Sequence, residues 1–329
     1  MCKVMYSASK VVDWLRLFRA HTAPATVMCL LVPYLLAGGR NVVDFVVLFV
    51  LGHLLHFFSF GHNSTMDYWL DTYDPSKKHH PLVSGRIQLF DAHKVVHYGS
   101  CLTAIAVVLY SIYRNPISLA PFLLYVVFGH AYNDGLDHLT THSWISISLC
   151  FTSLSMYGYI LVKGFTVDLL LIALWSFLTI FYQIAFEGNY KDLWNPLEEH
   201  NLLRKYQLSS NPPTIRGDVA LMFFFVRSVL NTAVLIVLAL AVLREKLFLL
   251  LLILLTFFEV MFTYKLYKYS TTGRRREDVL DLFGKAEAIE FFRIASLTEI
   301  YAVFFIAYGL MYYVLMNKLL WGTKFGPRV

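Results

Sequence analysis

Residues Val42–Ile87 read VVDFVVLFVLGHLLHFFSFGHNSTMDYWLDTYDPSKKHHPLVSGRI. The stretch Val42–Phe60 holds one acid, Asp44, and no Lys or Arg. As a helix rising about 1.5 Å per residue it is long enough to cross roughly 30 Å of hydrocarbon. The chain then turns abruptly polar. Asn63, Asp67 and Asp71 follow at i, i+4 and i+8, a spacing that drifts only about 40° per step and places all three on one helix face. Pro75 disfavours helical backbone at the residue before it, so Asp74 is predicted to be the last helical residue.

Working outward, the rest of the chain repeats the apolar pattern. Nine segments run Ala23–Ala37, Val42–Phe60, Val95–Tyr113, Ile117–Tyr132, Trp144–Val162, Val167–Phe186, Val219–Leu243, Leu247–Tyr264 and Ile300–Met316. Across 329 residues 57% are hydrophobic and only 15% charged. Soluble domains carry about 25% charged residues, and disorder requires few apolar ones. The composition therefore excludes both classes and predicts an all-α polytopic membrane protein of nine transmembrane helices, folded as one domain over residues 1–329. The four cysteines form no CxxC, which argues against a disulfide framework and a zinc site.

Net charge is +6, and its distribution predicts orientation. With the N-terminus cytoplasmic, 19 of the 28 Lys and Arg fall in inside segments and 8 outside, the bias of the positive-inside rule. This accounts for the basic balance without nucleic acid. Nine crossings then place the C-terminus outside, and the three longest connections (61–94, 187–218 and 265–299) inside. In the last of these, Val279, Leu282, Phe283, Ala286 and Ile289 recur at helical spacing among charges, which predicts an amphipathic helix on the membrane surface.

Asp74 falls within the same arc if the helix lasts that far. The three carboxylates Asp67, Asp71 and Asp74 on one face would repel one another unless a cation intervenes, and an oxygen-ligated ion such as Mg²⁺ suits them when a phosphate completes its shell. Lys77, Lys78, His79, His80 and Arg86 follow directly as counter-charges for phosphate oxygens. In Tyr132–Trp144, YNDGLDHLTTHSW, the residues Asn133, Asp134 and Asp137 are suited to orienting an acceptor or taking its proton, although Asn-Asp-Gly is also a good turn sequence.

With these residues in view, the chain resembles the UbiA-type intramembrane prenyltransferases. The resemblance rests on NxxxDxxxD at the end of the second apolar segment and the following P-L-x-x-G-R-I run. It is extended by WLRLFRAHTAPAT (Trp14–Thr26) and by the Tyr132–Asn133 pair. It implies helices around a central cavity with cytoplasmic cap loops, and a cytoplasmic active site. It also implies Mg²⁺-dependent transfer of an isoprenoid group from a prenyl diphosphate to a hydrophobic or amphiphilic acceptor. The expected partners are donor, lipophilic acceptor and membrane lipids, with no obligate protein partner. The implied metal ligands are Asn63, Asp67 and Asp71, the two aspartates also being catalytic. Arg19, Lys77, Lys78, Arg86 and Lys191 are implied for the diphosphate, and Tyr132, Asn133 and Asp137 for the acceptor.

The family's second acidic motif is altered here. In Gln183–Lys205, QIAFEGNYKDLWNPLEEHNLLRK, its usual aspartates fall on Ala185 and Asn189 when Glu187–Gly188 is aligned with the family's Glu-Gly pair. Glu187, Asn189 and Asp192 remain as oxygen ligands, Asp192 as a catalytic candidate, with Lys191 beside them. Two other functions compete. His93/His97 and His138/His142 form HxxxH pairs, as in histidine-box membrane di-iron oxygenases. A transporter would instead place ionisable groups at mid-membrane, where Arg227 and Glu259 are the main candidates.

Overall fold

The structure, a computed structural model, describes residues 2–74, 77–136, 140–195 and 200–322. It is almost wholly helical. An N-terminal helix, α1 (Cys2–Leu17), is followed by α2 (Ala23–Leu36), α3 (Val42–Met66), α4 (Leu89–Arg114), α5 (Leu119–Ala131) and α6 (Ser143–Ile160). Then come α7 (Val167–Asp192), α8 (Gly217–Val242), α9 (Lys246–Thr272), α10 (Arg276–Ser296) and α11 (Glu299–Trp321). Among the described residues six of these, α3, α4, α7, α8, α9 and α11, are long and apolar enough to cross a membrane. A helix forms on each of the nine apolar segments of the sequence. Between α7 and α8 an antiparallel hairpin, β1 (Gln207–Ser210) and β2 (Pro213–Ile215), was not expected.

Local chemistry sets the helix ends. The Asn41 side chain accepts hydrogen bonds from Val43 N (2.8 Å) and Asp44 N (3.2 Å), capping α3, as free N–H groups at a helix start require. At the far end the helical bonds continue through Asp67 N to Asn63 O (2.9 Å) and Asp71 N to Asp67 O (2.9 Å). The predicted common face of Asn63, Asp67 and Asp71 is thus kept, although a short helix, Tyr68–Asp71, carries its last part.

By internal packing the chain divides into two compact units: Met1–Leu31, Arg40–Pro116 and Phe304–Val329 make the first, Val32–Gly39 and Ile117–Val303 the second. In the first unit α3 and α4 run antiparallel. Arg114 at the end of α4 pairs with Asp44 at the start of α3 at 2.6 Å. A Cβ on Gly99 of α4 would stand 2.0 Å from the Phe58 ring, so glycine permits their close approach. The α11 part of this unit runs parallel to α3. Phe304 stacks edge-on against Phe45 near the start of α3, and Tyr308 OH donates to His53 Nε2 at 2.8 Å halfway along it. Arg16 Nε donates to Leu320 O at 2.8 Å. The last turn of α11 therefore lies at the same end as α1 and Asp67. The expectation of a C-terminus on the opposite side fails for this reason.

In the second unit α10 lies lengthwise on α9 rather than on a membrane surface. Its stripe of Val279, Leu282, Phe283 and Ala286 is buried with Leu266 of α9 and Phe223 of α8. At its far end the Glu299 carboxylate accepts from Arg244 N and Glu245 N, at the start of α9. The 21 residues of α10 span about 31 Å. Two of its charges, Glu290 and Arg293, join Arg227 and Glu259 in the interior: Arg227 Nε meets Glu259 Oε1 at 2.8 Å, and Arg227 Nη2 meets Glu290 Oε2 at 3.1 Å. Arg293 Nη1 meets Glu290 Oε2 at 2.7 Å and Glu259 Oε2 at 3.6 Å. Two cations and two anions, none more than 3% exposed, close a neutral tetrad. The apolar periodicity correctly marked a buried face of α10; its cover is protein.

Candidate diphosphate and metal site

The polypeptide between α1 and α2 makes a strained turn at Arg19, whose φ of +47° lies in the left-handed region that costs a non-glycine residue about 1–3 kcal/mol. Three donors meet the Arg19 carbonyl there. Thr22 N and Oγ1 donate to it at 2.9 Å each, and His56 Nε2 lies 3.2 Å away. A ring nitrogen facing a carbonyl must carry the proton, so His56 Nδ1 accepts from Thr26 Oγ1 at 2.8 Å. This buried histidine of α3 is a structural clamp whose role has no local signature, because its partners lie thirty or more residues away in the chain. The turn aims the Arg19 guanidinium at the end of α3, where Nη2 is 3.9 Å from Asp67 Oδ2 and the group lies over the Phe60 ring.

The loop after Asp71 folds back onto the same corner. Leu82 and Ile87 of the P-L-x-x-G-R-I run are buried against Leu17 and Ala92, which explains the apolar members of that motif as anchors. Gly85, at φ +71°, supplies the turn that a residue with a side chain would resist. Lys77 Nζ reaches Asp71 Oδ1 at 3.2 Å. Arg86 Nε donates to Asp13 Oδ1 at 2.9 Å, and its Nη2 donates to His79 O at 2.7 Å. Lys78 is exposed and Asn63 half-buried.

Asp71 is the residue that demands a ligand. It is 7% exposed, and its Oδ2 is buried with no hydrogen-bond partner among the described residues. Burial pushes its carboxyl above the ordinary range, with Asp67 acting in the same sense and Lys77 and Arg19 opposing. An orphaned carboxylate oxygen beside a second carboxylate fits a divalent cation, and two nearby cations fit an anionic co-ligand. His80 adds no charge. Burial, then Arg19 and Lys77, push its imidazole down to about 3, and both ring nitrogens are buried without partners among the described residues. The expected counter-charge at this position is therefore absent at neutral pH.

The second stretch is arranged differently. Glu187 lies in a widened turn of α7, 4% exposed, with Oε2 unpartnered among the described residues. Asn189 is committed to the loop: its Nδ2 donates to Ile184 O at 2.8 Å and its Oδ1 accepts from Leu202 N at 2.7 Å. Asp192 is partly exposed, with Lys191 Nζ at 4.0 Å. The three oxygens thus stand in three settings, interior, loop brace and rim. At the end of α5, Tyr132 is half-buried and Asn133 is 8% exposed; Asp137 lies outside the described residues. Asp134, next to them, pairs with His130 at 3.0 Å. The membrane histidines His53 and His56 are both engaged in hydrogen bonds.

Comparisons with known proteins bear on the family and the fold. A family model described as the UbiA prenyltransferase family matches residues 25–283. No curated protein sequence matches significantly. Among solved structures, a digeranylgeranylglyceryl phosphate synthase superposes with a TM-score of 0.65 at 16% identity, covering 90% of this chain and 99% of that one. A UbiA homologue from Archaeoglobus fulgidus bound to GPP and Mg²⁺ gives 0.61 at 16% identity, over 92% and 99% of the two chains. The apo structure of a UbiA homologue from Aeropyrum pernix K1 gives 0.56 at 16% identity, over 87% and 97%. At these identities the structures show a shared fold. The match over most of the sequence shows the family: this chain belongs to the UbiA prenyltransferases, integral membrane enzymes that transfer prenyl groups.

Proposed function

We propose that this protein transfers an isoprenoid group from a prenyl diphosphate to a lipophilic acceptor, with Asp67 and Asp71 holding Mg²⁺ at the end of α3. The observation that carries the reading is the buried, unpartnered Oδ2 of Asp71 beside Asp67, Arg19 and Lys77. The GPP and Mg²⁺ named for the Archaeoglobus homologue support the choice of ligands. Magnesium, when bound, neutralises diphosphate oxygens and so favours departure of the leaving group.

The chain's own residues do the rest. Arg19 and Lys77 sit on the carboxylates in this structure; with the ion in place they are released to the diphosphate, each as a charge-assisted donor. Arg86 and Lys78 extend the cationic rim. Asn63, one turn before Asp67, offers an amide oxygen to the ion. Asp192 with Lys191 forms the corresponding rim of the second motif, and Tyr132 and Asn133 face the acceptor. The whole chain acts as one prenyltransferase domain.

The site is cytoplasmic on the positive-inside bias. The nine apolar segments each cross the membrane, and α10 crosses with them, its Glu290 and Arg293 paired in the tetrad. Ten passes return the end of α11 to the cytoplasmic side, in keeping with the Arg16–Leu320 bond.

The test is incubation of the purified protein with labelled prenyl diphosphates of several chain lengths and a lipid extract, with and without Mg²⁺. A labelled product formed only with Mg²⁺ supports the reading and identifies donor and acceptor together. Solute flux across sealed vesicles without a covalent product, or iron-dependent oxygen consumption, contradicts it.

A further inference from the structure

Asp13 lies in α1, before the residues that the family model matches, and it is only 6% exposed. One of its oxygens, Oδ1, accepts from two guanidinium groups, Arg86 Nε at 2.9 Å and Arg16 Nη1 at 3.0 Å. Each donor is fixed a second time. Arg86 holds the His79 carbonyl, and Arg16 holds the carbonyl of Leu320 at the end of α11 and lies over the Trp321 ring. Residues outside the family match are thus linked in series: the end of α11 holds Arg16, and Arg16 together with Arg86 holds the Asp13 carboxylate. That carboxylate grips the arginine of the loop that also bears Lys77.

We propose that Asp13 is a positioning residue for the diphosphate, acting through Arg86; the inference rests on the function proposed above. The argument is one of preorganisation. An arginine on a loop loses considerable side-chain freedom when it takes hold of a phosphate. Here Nε and Nη2 are already engaged, so the planar group is fixed, while Nη1 makes no hydrogen bond among the described residues. The cost of ordering is met in the folded protein instead of at binding. The electrostatics agree. One carboxylate between two guanidiniums leaves a net positive charge, so the brace orients Arg86 without cancelling the local attraction for an anion. The Arg16 hook on Leu320 holds the carboxylate, and this gives α11 a role at the site.

The experiment is a calorimetric titration of the full-length protein in detergent with inorganic pyrophosphate and with geranyl diphosphate, each with Mg²⁺, alongside thermal unfolding. Wild type, Asp67→Asn, Asp13→Asn, Asp13→Glu, Arg86→Ala and the double variant Asp13→Asn/Arg86→Ala are compared. We expect Asp13→Asn to weaken pyrophosphate binding roughly five- to tenfold, Asp13→Glu to restore most of it, and the double variant to bind no more weakly than Arg86→Ala alone. Where turnover is measured, KM for the diphosphate rises while kcat changes less than about twofold, a split that indicates lost ground-state binding. Unchanged binding in Asp13→Asn, or losses that add in the double variant, overturns the inference while leaving the proposed function standing. Loss of binding with a collapsed melting transition in both Asp13→Asn and Asp13→Glu assigns the residue to folding and overturns it as well. Failure of wild type to bind either probe removes the functional reading itself.

Discussion

The corner at Asp71 and the tetrad of Arg227, Glu259, Glu290 and Arg293 both bury carboxylates, yet they are built on opposite terms. In the tetrad each anion has two cationic neighbours, and the charges cancel. At Asp71 one oxygen meets a lysine whose side chain is 38% exposed, while the other meets nothing described. The tetrad joins helices, yet by hydrogen bonds it is not complete either: Glu259 Oε2, Arg227 Nη1 and Arg293 Nε have no hydrogen-bond partner among the described residues. At Asp71 the cations stay accessible, and under the proposed function a metal ion and a diphosphate would complete the site. The difference lies in exposure, since both sites pair two acids with two bases, but the side chains of Arg19 and Lys77 are 33% and 38% exposed while those of Arg227 and Arg293 are at most 3%.

The sharpest way to break the comparison is to remove one charge from each site. Asp67→Asn or Asp71→Asn should lower prenyl transfer by roughly a hundred- to a thousandfold with the thermal transition unchanged, read by labelled-product assay and melting in parallel. Full activity in both variants ends the metal assignment. Arg293→Met should do the reverse, costing about 3–5 kcal/mol of stability because Glu290 and Glu259 lose a buried partner. The paired change Arg293→Met/Glu290→Met should recover much of that loss in denaturant titrations, since a buried ion pair can be replaced by apolar groups of similar volume.

Acidity sharpens the contrast further. The Asp71 carboxyl sits above the ordinary value of about 3.9, and only its ionised form binds a cation. The Mg²⁺ concentration for half-maximal activity should therefore rise as pH falls toward that raised value, before ordinary carboxylates protonate. Replacement by asparagine should remove this pH dependence along with the activity. The smallest effect is expected at Asp192. Its 4.0 Å pair with Lys191 is 40–48% exposed and so contributes little to stability. Asp192→Asn should raise the Mg²⁺ requirement a few-fold at most; an unchanged Mg²⁺ titration would indicate that the first motif alone holds the metal.

How far these features could be read in advance depended on whether the signal was local. Asn63, Asp67 and Asp71 were legible because spacing alone fixes a helix face, and the backbone bonds keep that face past Met66. The apolar segments were legible for the same reason. The path of α10 was not, because Glu290 and Arg293 resemble surface charges until Arg227 and Glu259 are seen to need them. Two unexplained mid-membrane charges in α8 and α9 were the available clue, since such groups call for partners. The Arg16–Leu320 bond is likewise a long-range contact, and it holds the last turn of α11 at the α1 end, against the expectation. The settings of the second motif were not legible from sequence proximity. Glu187, Asn189 and Asp192 lie within six residues, but a widened turn and a loop brace send them to different places. Neither the left-handed turn at Arg19 nor its support by His56 has a sequence signature, as both depend on contacts across more than thirty residues.

The central claim is that Asp67 and Asp71 together hold a divalent ion that receives diphosphate. Electron paramagnetic resonance of Mn²⁺, used as a spectroscopic substitute for Mg²⁺, with inorganic pyrophosphate and purified protein tests it without any need to know donor or acceptor. Wild type should take up Mn²⁺ from solution in a pyrophosphate-dependent manner, and the Asp67→Asn/Asp71→Asn double variant should leave it free. Equal uptake by the two proteins would contradict the account.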